Sequence, residues 1–457
     1  MRAIMDYIMK YGFISLFLLL SGILPLRSQT PADTLVLTLP EAIKLAMKNN
    51  QDVLIAGEEI SNAHQQVRAA YAGAMPQLSV TGQYMRNIKL PVLFIPPNTP
   101  FNPTNQTQTF ALGANNNYTA TLNVNQVIFD PKLGTAIQIA KKYNNYSKLA
   151  SKSTRQDVEL NVKKAFYGIL LQQKMVKVMQ QSYNLSKANY DNVQALYKQG
   201  VSSEYDLLRA QVQVANSEPP LIQAQNNLEL AITNLKNLLA LKLEQPLRVK
   251  GEFRFEEIPR EEVRAANDAV LLSNPDIVQL KVQKSILEKK INIQQAEYFP
   301  SLAAFGNYQY QTQDNTFNSN KYKWIKTFAV GLQASFTLFD GFNRAAQVQQ
   351  AKIGVKKLEY SLQKAEDGLK IQILQAQMNM EEAKKRIFAQ QQSLGQAEKA
   401  VQIAGTRYKS GVGTQLELLD SQTALTQART NYTKAIYDYL IARAEWERLV
   451  SFYPSLD

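Results

Sequence analysis

The chain has 457 residues, with 51 Lys or Arg against 38 Asp or Glu, a single His and no Cys, for a formal net charge of +13. With no Cys and only His64, it cannot build a Cys/His zinc site, an iron-sulfur cluster or a thiol nucleophile, so no metal or cofactor is expected. The basic residues come as scattered doublets such as Lys141-Lys142, Lys163-Lys164, Lys289-Lys290 and Lys384-Lys385, mixed with acids as on solvated helix faces, and nucleic acid is not an expected partner.

In chain order, Arg2 and Lys10 lead into an apolar stretch that runs to Leu26, and a polar run starts at Arg27-Ser28-Gln29. This is the layout of a secretory signal peptide, expected over residues 1–28. Its apolar core of about 15 residues is short for a membrane span, and no later run repeats it, so the mature chain has no expected transmembrane helix.

The remainder is written twice, with an offset of about 210 to 225 residues, far longer than a solenoid repeat. Asn50-Gln51-Asp52-Val53 answers Asn274-Pro275-Asp276-Ile277, and Met75-Pro76-Gln77-Leu78 answers Phe299-Pro300-Ser301-Leu302. Ile128-Phe129-Asp130 answers Leu338-Phe339-Asp340, and Tyr197-Lys198-Gln199-Gly200-Val201 answers Tyr408-Lys409-Ser410-Gly411-Val412. The first repeat is placed at 29–245, a connector at 246–259 and the second repeat at 260–457. Each repeat reads as helix, two strands, long helix, turn, long helix.

The first helix opens at Thr38-Leu39-Pro40-Glu41, a capping box with Pro in the first turn. After Pro76 the period falls to two, and strands are expected near 77–85, 117–129, 301–311 and 326–339, each with one apolar and one small polar face. The segments 86–116 and 311–323 read as loops, the first rich in Pro and Asn. Helical hairpins are expected at 132–243 and 341–452. The stretch from Lys141 to Gln199 alone spans about 90 Å if straight. Its Ala, Gln and Asn content suits a coiled coil with a wet face, and Pro219-Pro220 predicts a kink or break in the return helix.

A ten-residue strand with one apolar face has the length of a tilted membrane-crossing β-strand, although a soluble sandwich shows the same alternation. Uncharged opposite faces, and aromatics near the strand ends such as Phe129, Tyr308, Tyr310, Trp324 and Phe339, favour the membrane. Four strands cannot close a barrel in lipid, so the barrel has to be shared between chains.

The leader, the tandem repeat, the four strands and the paired Tyr-Lys-x-Gly-Val turns resemble the TolC family of outer membrane efflux proteins over essentially all of residues 34 to 452. The resemblance implies a mainly α fold with a membrane β-barrel. Three chains would share a twelve-stranded barrel, continued across the periplasm of a Gram-negative bacterium by a long α-helical coiled-coil barrel. It implies a homotrimer in outer-membrane lipid acting as a passive conduit for small molecules or secreted polypeptides, joined through a periplasmic adaptor protein to an inner-membrane transporter. The rival reading is a secreted coiled-coil structural or adhesive envelope protein, which accounts for the helices but not for strands of lipid length. An enzyme would need a nucleophile with its base or paired carboxylates in a pocket, and none emerges.

Gly200 and Gly411, each followed by Val201 or Val412, stand where a left-handed residue stops a helix, and helices restart at Ser203-Glu204-Tyr205-Asp206 and Thr414-Gln415-Leu416-Glu417. Capping alone accounts for Asp206 and Glu417, whereas Asp420 lies beyond the first turn and shares a face with Glu417. By resemblance, Glu417 and Asp420 form the narrowest ring of the periplasmic entrance, Asp206 and Tyr408 form its latch, and the turns meet the adaptor. The family's best-known member carries Arg where Gly413 stands, so that part of the latch is absent here.

Overall fold

The computed structural model describes residues 34–318 and 322–450; the expected leader at 1–28 and the tail at 451–457 lie outside them. Before the strands of the main sheet each repeat has two helices where the sequence suggested one: α1 (Leu39–Asn49) and α2 (Gln51–Ala72), then α5 (Arg260–Ser273) and α6 (Pro275–Ala296). The break falls at Asn50 and Asn274, whose side chains compete with the helical ladder and cap the next helix instead. Asn50 Oδ1 accepts from the N–H groups of Asp52 at 2.9 Å and Val53 at 3.4 Å, and Asn274 Oδ1 from Asp276 at 3.0 Å and Ile277 at 3.3 Å. Each Nδ2 donates 2.9 Å to a carbonyl at the far end of its own repeat, Leu238 or Leu449. One buried side chain thereby satisfies orphan groups at two helix ends. At the start of α1 the capping box is formed, with Thr38 N donating 2.8 Å to Glu41 Oε2.

Four strands, β2 (Gln77–Arg86), β5 (Asn116–Phe129), β7 (Ser301–Asp314) and β8 (Ile325–Ser335), form one antiparallel sheet in the order β2-β5-β7-β8. The register aligns Val80 with Leu122, Leu122 with Tyr308 and Tyr308 with Phe328, and likewise Leu78, Val124, Gly306 and Val330. Up to the bulge between Val127 and Phe129 in β5, even-numbered positions therefore share one face, and Leu78, Val80, Val330 and Leu332 on it are 68–78% exposed in the single chain. The odd face carries Gln77, Ser79, Thr81, Gln83, Asn117, Thr119, Thr121, Asn123, Asn307, Gln309, Gln311, Thr327, Gln333 and Ser335, with no ionisable side chain. Its one large ring, Phe305, covers Gly331, where an added Cβ would sit 2.7 Å from the ring. From Lys326 to Ala334 the apolar face spans eight residue-to-residue steps, about 27 Å along the strand.

The strands differ from the expected bounds for local reasons. β7 runs to Asp314, past the expected 311, because β5 still pairs with it there. β8 stops at Ser335 rather than 339: Ser335 pairs with Ser301, the first residue of β7, so Phe336 to Phe339 have no strand to lie against. The segment 86–116 contains a hairpin, β3 (Val92–Ile95) with β4 (Gln108–Ala111), formed where Val, Leu, Phe and Ile stand between Pro91 and Pro96. The connector pairs β6 (Leu247–Val249) in parallel with β1 (Leu35–Leu37).

The long helices are α3 (Pro131–Lys198) with α4 (Glu204–Leu238), and α7 (Asn343–Lys409) with α8 (Gln415–Val450). α3 has 68 residues, on the order of 100 Å, and begins at Pro131, one residue before the expected 132, because Asp130 caps it, accepting 2.8 Å from Lys132 N. Asp340 does the same for α7 from Arg344 N and Nε, both at 2.9 Å, after a turn through Gly341 (φ +68) and Phe342 (φ +67). α4 runs without a break through Pro219 and Pro220, so of the expected kink or break the break does not form. Buried Ser217, Leu221 and Ala224 hold both sides of the prolines in place, so packing outweighs the lost helical bonds.

Two apolar clusters hold the repeats, one around Phe166, Ile169 and Leu235, the other around Ile387, Tyr439 and Trp446. Between them α3 and α8 are tied by charge: Lys163 lies 2.9 Å from both Glu159 and Glu447, and Arg448 lies 2.7 Å from Asp157 and 2.9 Å from Asp276. Burial opposes the charge on Lys163, but the two carboxylates outweigh it and hold its pKa above the usual lysine value.

Candidate functional site at the hairpin tips

The helical hairpins end at two turns built by the same rule. Gly200 (φ +75) and Gly411 (φ +74) take the left-handed conformation, which lets Gly200 N donate to Tyr197 O at 2.9 Å and Gly411 N to Tyr408 O at 3.1 Å. Val201 N and Val412 N close the outer bonds of the same motif, on Leu196 O at 2.9 Å and Arg407 O at 3.1 Å, and both valines are exposed.

The restarting helices are capped differently. Ser203 Oγ accepts 3.1 Å from Asp206 N and donates 2.6 Å to Asp206 Oδ2, so the first carboxylate is bound within its own cap. Thr414 Oγ1 accepts 3.2 Å from Glu417 N, but the Glu417 carboxylate turns to the Arg407 guanidinium at 3.7 Å. Asp420 is exposed one turn further on, with no polar partner among the described residues. Glu417 and Asp420 thus share a helix face as expected, one compensated and one free.

Asp206 and Tyr408, the expected latch pair, come near each other without bonding. Burial raises the Tyr408 phenol pKa above its ordinary value, and the negative charge of Asp206 pushes it the same way. No Tyr408–Asp206 hydrogen bond forms among the described residues. What joins the tips is Gln415, buried, whose Nε2 donates 3.1 Å to the backbone carbonyl of Asp206 while its Oε1 has no partner.

Sequence reasoning missed both Gln415 and Arg407. The available signal was Gly413, a second glycine in a turn that Gly411 already closes. An added Cβ at Gly413 would stand 2.9 Å from Arg407 Cβ and 3.0 Å from Tyr408 N, so a side chain there would push the end of α7 away. The tip's guanidinium comes from position 407 instead.

An open four-stranded sheet joined to two long helical hairpins has known counterparts. The profile of the outer membrane efflux protein family matches residues 42–241 and 267–450. The chain belongs to the outer membrane efflux protein family. The alkaline protease secretion protein AprF of Pseudomonas aeruginosa is 24% identical to this efflux protein over 344 residues, covering 74% of this chain and 70% of that one. The outer membrane protein TolC of Vibrio cholerae is 20% identical over 407 residues, 88% of each chain. In fold, the CmeC outer membrane channel of Campylobacter jejuni superposes with a TM-score of 0.73 at 17% identity, over 92% of this chain and 87% of that one. The efflux protein is an outer-membrane channel of efflux or secretion, and its family consists of channels, not enzymes.

Proposed function

We propose that three copies close a twelve-stranded outer-membrane barrel, continued by their helical hairpins into one periplasmic tube, and that the tube is a passive conduit for small molecules or secreted polypeptides. One observation carries this reading: the four-stranded sheet has unpaired edges at β2 and β8 and an apolar face that is exposed along both edge strands. In lipid every strand edge must be paired, and alternating antiparallel order puts β8 of one copy against β2 of the next. The odd, uncharged face then lines a wet lumen.

At the other end, three Glu417 and three Asp420 side chains surround the entrance. Arg407 offsets much of the Glu417 charge, so Asp420 supplies most of the ring's net field. Asp206, Tyr408 and Gln415 hold the two hairpins of a copy together at the tip, and opening requires them to part. The exposed turns Gly200-Val201 and Gly411-Val412 are the surfaces for a periplasmic adaptor, which links the channel to an inner-membrane transporter.

Native mass measurement of the detergent-solubilised protein, followed by planar-bilayer recording, tests the reading. A trimer that conducts ions is expected. A folded monomer, or a mature protein recovered outside the membrane fraction, sinks it in favour of a secreted coiled-coil protein.

A further inference from the structure

The two edge strands carry cations at the same end. Arg86 is the last residue of β2, Lys89 follows it, Lys326 is the second residue of β8, and Lys323 precedes it. This end lies away from the long helices, since α2 leads into the opposite end of β2 and α7 leaves the opposite end of β8. Arg86 and Lys326 occupy even positions, so they crown the apolar face. All four cations are exposed and none forms an ion pair among the described residues. Neither edge strand contains an acid; Asp314, on inner strand β7, accepts at 2.7 Å from Thr316 N and Oγ1.

Within one chain two strands separate the pairs, a gap of about 14 Å. Closing the barrel removes that gap, and Arg86 and Lys89 of one copy come to flank Lys323 and Lys326 of the next. Four like charges at the rim of an apolar band repel one another unless an anion with several oxygens sits among them. The cations are backed by rings: Lys326 Nζ lies 5.9 Å from the Tyr310 ring centroid, Tyr310 stacks on Trp324 at 4.5 Å, and the Arg86 guanidinium lies 5.4 Å from Phe317. At the helical end of the sheet the cations are instead neutralised, Lys132 by Glu297 at 3.0 Å and Arg344 by Asp340 at 2.9 Å.

We propose that each seam between neighbouring copies binds a phosphate-bearing lipid head group of the outer leaflet, held by Arg86 and Lys89 of one copy and Lys323 and Lys326 of the next. The inference rests on the shared barrel proposed above. A lipid rather than a free ion is the occupant because Phe328 lies about 7 Å along the strand from Lys326, so acyl chains lie against the apolar face while the phosphates reach the cations.

Native mass spectrometry of the full channel with diphosphorylated or monophosphorylated lipid A tests this. The trimer is expected to retain the diphosphorylated lipid at least several-fold better. The variant R86Q/K89Q/K323Q/K326Q should lose that preference while staying trimeric, and the charge-keeping R86K/K323R/K326R should retain it. Equal retention of the two lipids by the wild type, undiminished retention by the Gln variant, or full displacement by inorganic pyrophosphate would overturn the seam site. A wild-type chain that stays monomeric removes the seam and the shared barrel together, whereas a trimer without phosphate preference removes the seam alone.

Discussion

The two repeats agree at their bases and diverge at their tips. Asn50 and Asn274 make the same three bonds, and Asp130 and Asp340 both cap a long helix. At the tips, Ser203 binds the Asp206 carboxylate inside one cap, while the other turn sends Glu417 to Arg407 and packs Gly413 against the end of α7. A duplicated chain keeps what both copies need for folding and varies what only one copy must do, and here the variation gathers at the hairpin tips.

The largest effects should be equal in the two repeats. Arg in place of Leu78 or of Leu332, both on the lipid-facing side of the proposed barrel, should each cost about 2 to 4 kcal/mol near the bilayer midplane. Arg at Gln333 should alter conductance with little loss of assembly. Unfolding in lipid vesicles followed by urea titration measures this, and equal penalties at 332 and 333 would break the assignment of faces.

Next come the shared caps. Asn50→Ala and Asn274→Ala each remove an N-cap and leave a helix-end carbonyl bare, so each should lower stability by about 1 to 3 kcal/mol. Denaturant midpoints that differ strongly between the two would mean that the repeats are less alike than their bonds.

The tips should then separate the repeats. Gly200→Ala strains a left-handed residue in open space, for about 1 kcal/mol and no change in resting conductance. Gly413→Ala has to displace Arg407 or the backbone of Tyr408, and should raise resting conductance in planar bilayers. The same recordings sharpen the charge assignment: Asp420→Asn should lower cation selectivity more than Glu417→Gln, and Arg407→Gln should increase it.

The smallest effect is alkaline. Because the folded state holds the Tyr408 proton above the ordinary phenol pKa of about 10, the unfolded chain releases that proton first, and stability falls as pH rises past that value. Tyr408→Phe should abolish this part of the slope in thermal melts between neutral pH and strongly alkaline buffer.

Much of this was legible because the repeated motifs are local devices. Asn50-Gln51-Asp52, Phe129-Asp130 and Tyr197-Lys198-Gln199-Gly200 each finish or start a helix with side chains only a few residues apart, and the period-two strands announce their faces directly. What depended on partners across the fold was not legible. The end of β8 is set by where β7 begins, the continuity of α4 through Pro219-Pro220 by packing on its neighbours, and the orientation of Glu417 by a guanidinium ten residues upstream. The β3–β4 hairpin was hidden because its prolines read as loop while the residues between them pair.

The strand face of amides and hydroxyls that carries Thr119, Asn123, Gln309 and Gln333 bears on how fast such a passage can work. Each of these groups exchanges hydrogen bonds with water at little net gain, so a solute moving past finds something close to its own hydration shell at every step. In the proposed barrel, with no ionisable side chain among the described residues of this face and the Phe305 ring over Gly331, it would meet neither a trap nor a steep barrier. Along this stretch, transit time should follow the size of the solute rather than its chemistry.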